Sequence, residues 1–217
     1  MVKTGARLDP LDSGTEQRIL DAARSVFLRH GTAGARMQEI AEVAGVNKAL
    51  LHYYFRSKAR LAEAVFVDAA RQLLPAVIEV LASPAEIEEK VERVVELELS
   101  HLSKAPFLPG YVISEMHHNP DRPRQLIEAF TGLAAREVRL RVLRTISAQI
   151  DERVAEGTLR PIKAEQFVVN LLALCVFPFA ARPMVMLLLD LDEQGFQRFI
   201  ERRRTELVSF FLGALRP

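Results

Sequence analysis

Residues Met37–Lys58 read MQEIAEVAGVNKALLHYYFRSK, and the fold is decided by how this run is read. Ala41 stands four residues before Gly45, and Leu51 stands ten after Ala41. Two helices that cross closely around a tight turn need a small residue at the crossing, a residue tolerant of positive φ in the turn, and apolar side chains inside. Ala41, Gly45 and the set Ile40, Val46 and Leu51 meet those needs in order. The spacing therefore predicts a helix-turn-helix. Its second helix, N-capped by Asn47, presents Asn47, Lys48, Ala49, Leu50, His52 and Tyr53 outward. Short or polar side chains suit base edges in a major groove, and flanking cations and hydroxyls suit phosphates. Lys48, Tyr53 and Lys58 supply the latter, and the helix opening at Ser57-Lys58 offers backbone N–H groups to a phosphate. Tyr54 falls on the inner face with Leu51 and belongs to packing. For His52, packing and DNA contact both stand.

Outward from this run, almost every periodic segment is helical. Ile19, Leu20, Ala22, Ala23, Val26 and Phe27 share one face, with Ser13 and Glu16 fitting a capping box and Gly31 a stop. Met37, Ile40, Ala41 and Ala44 form a short helix ended by Gly45. After Ser57 a long helix runs to Leu81, with a bend expected at Pro75. Ser83-Pro84 opens another, to about Lys104, and a proline-bounded helix lies between Pro106 and Asn119. Pro123 to Glu156 reads as one long helix stopped at Gly157, followed by Ala164–Ala181 and Asp192–Leu215. No stretch alternates with period two over strand length. The expectation is an all-α chain of about nine helices, with an N-terminal arm and helix-turn-helix domain over 1–56 and a helical domain over 57–217.

The chain has 217 residues, of which 49 % are hydrophobic and 26 % charged, ordinary for a globular protein and too apolar for disorder. A formal net charge of +1 conceals an asymmetry. Residues 1–60 hold 10 Lys/Arg against 6 Asp/Glu, whereas the remainder holds 19 against 22. Gly45–Arg60 contains Lys48, Arg56, Lys58 and Arg60 and no acid. A basic end on a mildly acidic body suits a polyanion at that end; on charge alone a solvated patch is the alternative. The single cysteine, Cys175, excludes an internal disulfide and a thiol metal cluster. Met1–Pro10 is polar and does not read as a secretory signal, and Val168–Ala181 is interrupted by Asn170 and Pro178. These features predict a soluble, cytoplasmic protein that spans no membrane.

The run from Thr15 to Phe66 resembles the DNA-binding domain of TetR/AcrR-family transcriptional regulators. The resemblance is carried by Ile19, Leu20, Ala23, Phe27, Gly31, Ile40-Ala41, Ala44-Gly45-Val46, Lys48, Leu51, Tyr54-Phe55, Ser57-Lys58 and Leu61. It implies a homodimer that binds a palindromic double-stranded DNA operator, usually represses, and is released when a small molecule enters the C-terminal domain. By position, Lys48 and Ala49 stand where family members contact bases, and Lys58 at a phosphate-contacting lysine. Leu50 stands where a threonine or serine is common, His52 at a frequent tyrosine, and Tyr53 at a variable aromatic or histidine position. The sequence departs from the family at Ala35-Arg36, which replaces the hydroxyl pair opening the second helix and adds a cation within reach of a phosphate. The order His52-Tyr53 reverses the commoner pairing, and Leu50 offers a thymine methyl an apolar contact.

In the C-terminal region, polar residues in apolar company mark candidate pocket positions: His101, Tyr111, Glu115, His118, Asn170 and Cys175. Phe107, Met116 and Phe130 join them as walls, although core packing is an equal reading for each. His117 and His118 point apart on a helix and nothing completes a metal pair, so neither metal nor cofactor is expected. Cys175 reads as a buried small hydrophobe. The last two helices carry apolar faces suited to dimerisation: Phe167, Leu171, Leu174 and Phe179 on one, Phe196, Phe199, Ile200, Leu207 and Phe211 on the other. The chain holds no glycine-rich phosphate loop and no nucleophile elbow. Glu115 with His117 or His118 is the one acid–base pair an enzyme reading has, so no catalytic residue is expected. A ligand-responsive repressor with a small hydrophobic effector is the leading reading. An activator or protein-partnered regulator of the same fold is the alternative, and a helical enzyme stands further off.

Overall fold

The computed structural model describes residues 10–217, with the side chains of residues 10–13 and of Ser114, Glu115 and His118 outside the description. Among the described residues the regular structure is all helical, joined by turns, bends and irregular links, with no strand. There are eleven α-helices: α1 Pro10–Gly34, α2 Met37–Ala44, α3 Lys48–Phe55, α4 Lys58–Ala82, α5 Ile87–Lys104, α6 Leu108–His118, α7 Arg122–Thr131, α8 Ala135–Ala155, α9 Ala164–Ala180, α10 Arg182–Leu188 and α11 Glu193–Gly213. They form two compact units, one ending at Asp68 and the other Ala69–Pro217. The expected boundary at residue 56 thus lies before the observed one, and the first turns of α4 belong with the N-terminal unit.

In the N-terminal unit the predicted stripe of α1 is buried: Ile19, Leu20, Ala22, Ala23, Val26 and Phe27, together with Ile40, Ala41, Leu51, Phe55, Leu61 and Val65. α2 packs on both α1 and α3. Gly45 closes α2 in the left-handed conformation, φ +65°. Its N–H donates to the Glu42 carbonyl and that of Val46 to Ala41, the paired bonds that let a helix stop and turn at once. α1 is longer than expected at both ends. It begins at Pro10 and continues past Gly31, which is a kink inside it at φ +64°, ψ 171°.

The C-terminal unit is built around α5, which packs on α9 and α11, while α8 lies against α9 and α7 against α8. Its core includes Val91, Val94, Val95 and Leu99 of α5, Ile146 of α8, Phe167 and Leu171 of α9, and Phe196, Leu207 and Phe211 of α11. Two expectations fail here. Pro123–Glu156 is not one helix: Gly132, at φ +68°, ends α7 by a left-handed cap on the Glu128 carbonyl, and α8 starts three residues on. The segment after α9 was not expected to be helical, yet Pro183, at the start of α10, sits where a helix needs no N–H. Within α4, Pro75 is accommodated without a break.

Pro178 lies inside α9 and cannot donate to the Leu174 carbonyl four residues back. Arg203 of α11 supplies the missing donor, its guanidinium bonding that carbonyl at 2.9 Å. Among the described residues no single helix is long and apolar enough to cross a membrane. α9 and α10 reach that length only together, across a 77° bend.

Candidate nucleic-acid interface

α3 has two faces. Leu51 and Phe55 point inward and are buried, Leu50 and Tyr54 are half-buried, and Lys48, Ala49, His52 and Tyr53 form one exposed face. Tyr53 is 75 % exposed, with its ring edge-on to Tyr54 at 5.6 Å. A tyrosine held that far out of a helical protein presents a hydroxyl and a flat ring to whatever meets the helix. Asn47 has extended backbone and its Oδ1 accepts the Leu50 N–H at 2.7 Å. Its carbonyl oxygen is therefore engaged in capping, which leaves only the amide N–H₂ facing outward. Leu50 is only half exposed, so the thymine-methyl role has less surface than expected.

The same unit carries exposed cations. Lys48, Arg36 and Arg56 are exposed and form no ion pair among the described residues. Arg36 is the extended N-cap residue of α2, and its side chain makes no capping bond. Lys58 is placed differently from the expectation of a phosphate-seeking lysine. Its Nζ donates to the carbonyls of Ala33 at 2.7 Å and Ala35 at 3.1 Å, tying α4 to the end of α1. Two of its three N–H groups are thus engaged within the protein. The helix start it belongs to is capped by Ser57, whose Oγ accepts the Arg60 N–H at 3.2 Å. His52 and Arg56 bond reciprocally: the Arg56 N–H donates to the His52 carbonyl at 2.9 Å, and His52 Nδ1 lies 3.1 Å from the Arg56 carbonyl. The spacing had placed His52 on the outer face. It gave no signal of this bond.

Among the described residues, the C-terminal candidates differ in burial and surroundings. Cys175 is fully buried in the core and Asn170 is exposed, the two facing away from each other on α9. His101 is half-buried with Nδ1 donating to the Leu97 carbonyl at 2.8 Å, and Met116 is exposed. Phe107 and Tyr111 are half-buried, and the Phe130 ring carries the Arg71 guanidinium 5.8 Å from its centroid. The side chains of Glu115 and His118 lie outside the described residues. Asn170 instead lines a groove of about 380 Å³ between α9 and α11 with Ala173, Phe177, Arg203 and Phe210. A second groove, about 570 Å³, runs beside α8 and is lined by Leu140, Leu143, Arg144, Asp151 and Lys163 among others.

Most of the residues expected to form a dimer face lie inside the chain instead. Phe167, Leu171, Phe179, Phe196, Ile200, Leu207 and Phe211 are buried in the chain's own core, with Phe167 edge-on to Phe211 and Phe179 edge-on to Phe196. Leu174 and Phe199 are half-buried. The apolar side chains left exposed are Val169 at 60 % and Phe177 at 54 % on α9, and Phe210 at 65 % on α11.

Sequence reasoning also passed over the charged groups buried in this unit. Glu98 of α5 is buried, and desolvation pushes its carboxyl up to about 7. Burial, with Glu98 adding to it, pushes the Cys175 thiol up to about 12, so it is unreactive at neutral pH. Burial also lowers the Arg203 pKa. Lys90 is fully buried, its pKa lowered by desolvation, and it donates to Gln149 at 2.6 Å. A signal was present: Glu98 falls in register with Val91, Val94, Val95 and Leu102, and Arg203 with Phe196, Ile200 and Leu207.

Residues 19–65 match the family model of the bacterial regulatory proteins of the tetR family. Over 121 residues the chain is 34 % identical to the transcriptional repressor SCO4008 of Streptomyces coelicolor, an overlap of 54 % of this chain and 60 % of that one. It is 41 % identical over 73 residues to the transcriptional regulator RutR of Escherichia coli, covering 34 % of this chain and 32 % of RutR. The chain therefore spans less than two thirds of the length of these curated relatives. A TetR/AcrR-family regulator from Thermobifida fusca shares the fold, with a TM-score of 0.55 at 17 % identity over 90 % of this chain and 97 % of that one.

Proposed function

We propose that this chain, whose residues 19–65 match the family model of the tetR bacterial regulatory proteins, is a TetR-family DNA-binding transcriptional repressor. It binds a palindromic operator as a homodimer and is released by a small molecule bound in the C-terminal unit. The observation that carries this reading is the exposed face of α3, where Lys48, Ala49, His52 and Tyr53 stand together, with the exposed cations Arg36 and Arg56 in the same unit. Such a face supplies both parts of duplex recognition, side chains for base edges and charge for phosphates. We take the exposed sides of α9 and α11 as the pairing surface, and recognition of two half-sites requires two copies of α3 about one helical turn of DNA apart, roughly 34 Å. An effector acts by preferring one arrangement of that dimer, and operator affinity shifts by no more than that preference.

The test is titration of the purified protein against duplex DNA from its own upstream region at several salt concentrations. Binding is expected to weaken steeply with salt, as phosphate contacts release counterions. Lys48→Ala is expected to lower operator affinity about tenfold, with less effect on unrelated DNA. Equal binding to upstream and unrelated DNA, or binding indifferent to salt, would overturn the reading.

A further inference from the structure

His52 lies on the exposed face of α3, one turn beyond Lys48. Its Nδ1 faces the carbonyl oxygen of Arg56, and a carbonyl only accepts, so Nδ1 carries the proton. Arg56 itself is held at φ +45°, ψ −37°, a positive-φ conformation that a residue with a side chain rarely adopts. The reciprocal bonds between His52 and Arg56 hold it there. They also fix the ring, so the direction in which its other nitrogen points is set by the end of the helix.

In the neutral imidazole, Nε2 is then an outward-facing acceptor with no proton. Phosphate oxygens are acceptors too, so this atom has nothing to bond on the backbone of a duplex. Among major-groove base edges, donors are found only on the exocyclic amines, N6 of adenine and N4 of cytosine. Lys48, one turn earlier on the same face, is a donor and meets the opposite chemistry, acceptors on guanine or phosphate. We propose that His52 is a specificity-determining residue that reads one exocyclic amine, adenine N6 or cytosine N4, in each half of the operator. This rests on the reading of α3 as the DNA-contacting helix.

The experiment selects bound sequences from a randomised duplex pool with the full-length wild-type protein, then with His52→Phe. The wild type is expected to fix adenine or cytosine at one position per half-site, which His52→Phe leaves open while keeping the rest of the consensus. The amine is then deleted from the wild-type consensus, using purine for adenine or 2-pyrimidinone for cytosine, which also tells the two bases apart. The wild-type protein is expected to lose about fivefold in affinity on that duplex, and His52→Phe to bind both duplexes equally. Because the amine also donates to its paired base, N6-methyladenine or N4-methylcytosine, which keeps that bond and blocks the groove-facing hydrogen, is placed at the same site and is expected to weaken wild-type binding alike; this arm uses unaltered protein and decides the matter even if His52→Phe folds poorly. Indifference of the wild type to every such deletion, or an unchanged preference in a folded His52→Phe, overturns the proposal. An even loss across all sequences with a shallower salt dependence does so too, because it marks a phosphate contact. A wild type that enriches no sequence at all removes the DNA-binding reading itself, and this proposal with it.

Discussion

Lys58 shows how one side chain can satisfy a motif for a reason other than the expected one. Its position beside a cationic helix face suggests a phosphate, but its Nζ is shared between the carbonyls of Ala33 and Ala35. Those oxygens lie at the end of α1, where a cation also complements the helix dipole. Lys58→Met is expected to lower unfolding free energy by about 1 kcal/mol in urea titrations, with the salt dependence of DNA binding nearly unchanged. Unaltered stability with a salt slope reduced by about one would return Lys58 to the phosphates. At this scale the sequence spoke clearly about faces and poorly about bonds. Helical spacing separates Leu51 and Phe55 from Lys48, His52 and Tyr53, because the period of a helix is fixed. It cannot report that the Asn47 oxygen is engaged by Leu50, or that His52 closes on Arg56, since those depend on backbone angles at the helix ends.

Within elements, the buried polar groups of α5, α9 and α11 set the conditions under which the C-terminal unit is stable. Glu98 titrates near 7 in the fold and near 4.5 when exposed, so over that range the native chain holds a proton that the unfolded chain releases. Stability from this group is full below about pH 4 and declines as pH rises to 7. Glu98→Gln removes the decline and is expected to stabilise by about 2 kcal/mol more at pH 8 than at pH 5, judged by denaturant midpoints. Equal gains at both pH values would mean that the carboxyl is not desolvated. Pro178 and Arg203 are a second such device. Arg203→Met leaves the Leu174 carbonyl without a donor and is expected to cost roughly 1–3 kcal/mol. Adding Pro178→Ala restores a backbone N–H, so the double variant should lose much less than the two single losses summed; strict additivity would show that the bond does little. The helices themselves were largely legible because apolar residues recur at helical spacing from Ile19 onward. The break at Gly132 was not, since the pattern on either side is compatible with one helix and only the left-handed cap separates them. Pro183 likewise looked like an interruption and instead opens α10. The burial of the expected dimer face has a related cause. Apolar periodicity marks the side of a helix that leaves water but not what covers it, and in α9 and α11 the strongest stripe is covered by the chain's own core.

For the whole molecule, two facts need a common explanation: an exposed polar face on a single short helix, and apolar side chains left in water on α9 and α11. On the proposed reading, one copy of α3 would reach few base pairs and release few counterions, so alone it would bind weakly. Tethering two copies makes the second contact intramolecular and raises affinity by about a hundredfold or more without any new type of contact. Val169, Phe177 and Phe210 are the exposed apolar side chains of these helices, and on the proposed reading a second copy covers them and takes aromatic area out of water. The charge asymmetry fits the same arrangement, because an acid-free stretch over Gly45–Arg60 on a chain of near-zero net charge draws the polyanion to one end only. The double substitution Phe177→Glu and Phe210→Glu places a carboxylate on each of the two helices while leaving the core stripe of both intact. Sedimentation equilibrium is expected to read a dimer for the wild type and a monomer for this variant, with matching far-ultraviolet circular dichroism. Operator affinity should fall by about a hundredfold while the residual binding to unrelated DNA keeps its salt sensitivity. A variant that remains dimeric would place the interface elsewhere in the C-terminal unit. A monomer that still holds its operator as tightly as the wild type would break the link between pairing and recognition on which the proposed repression depends.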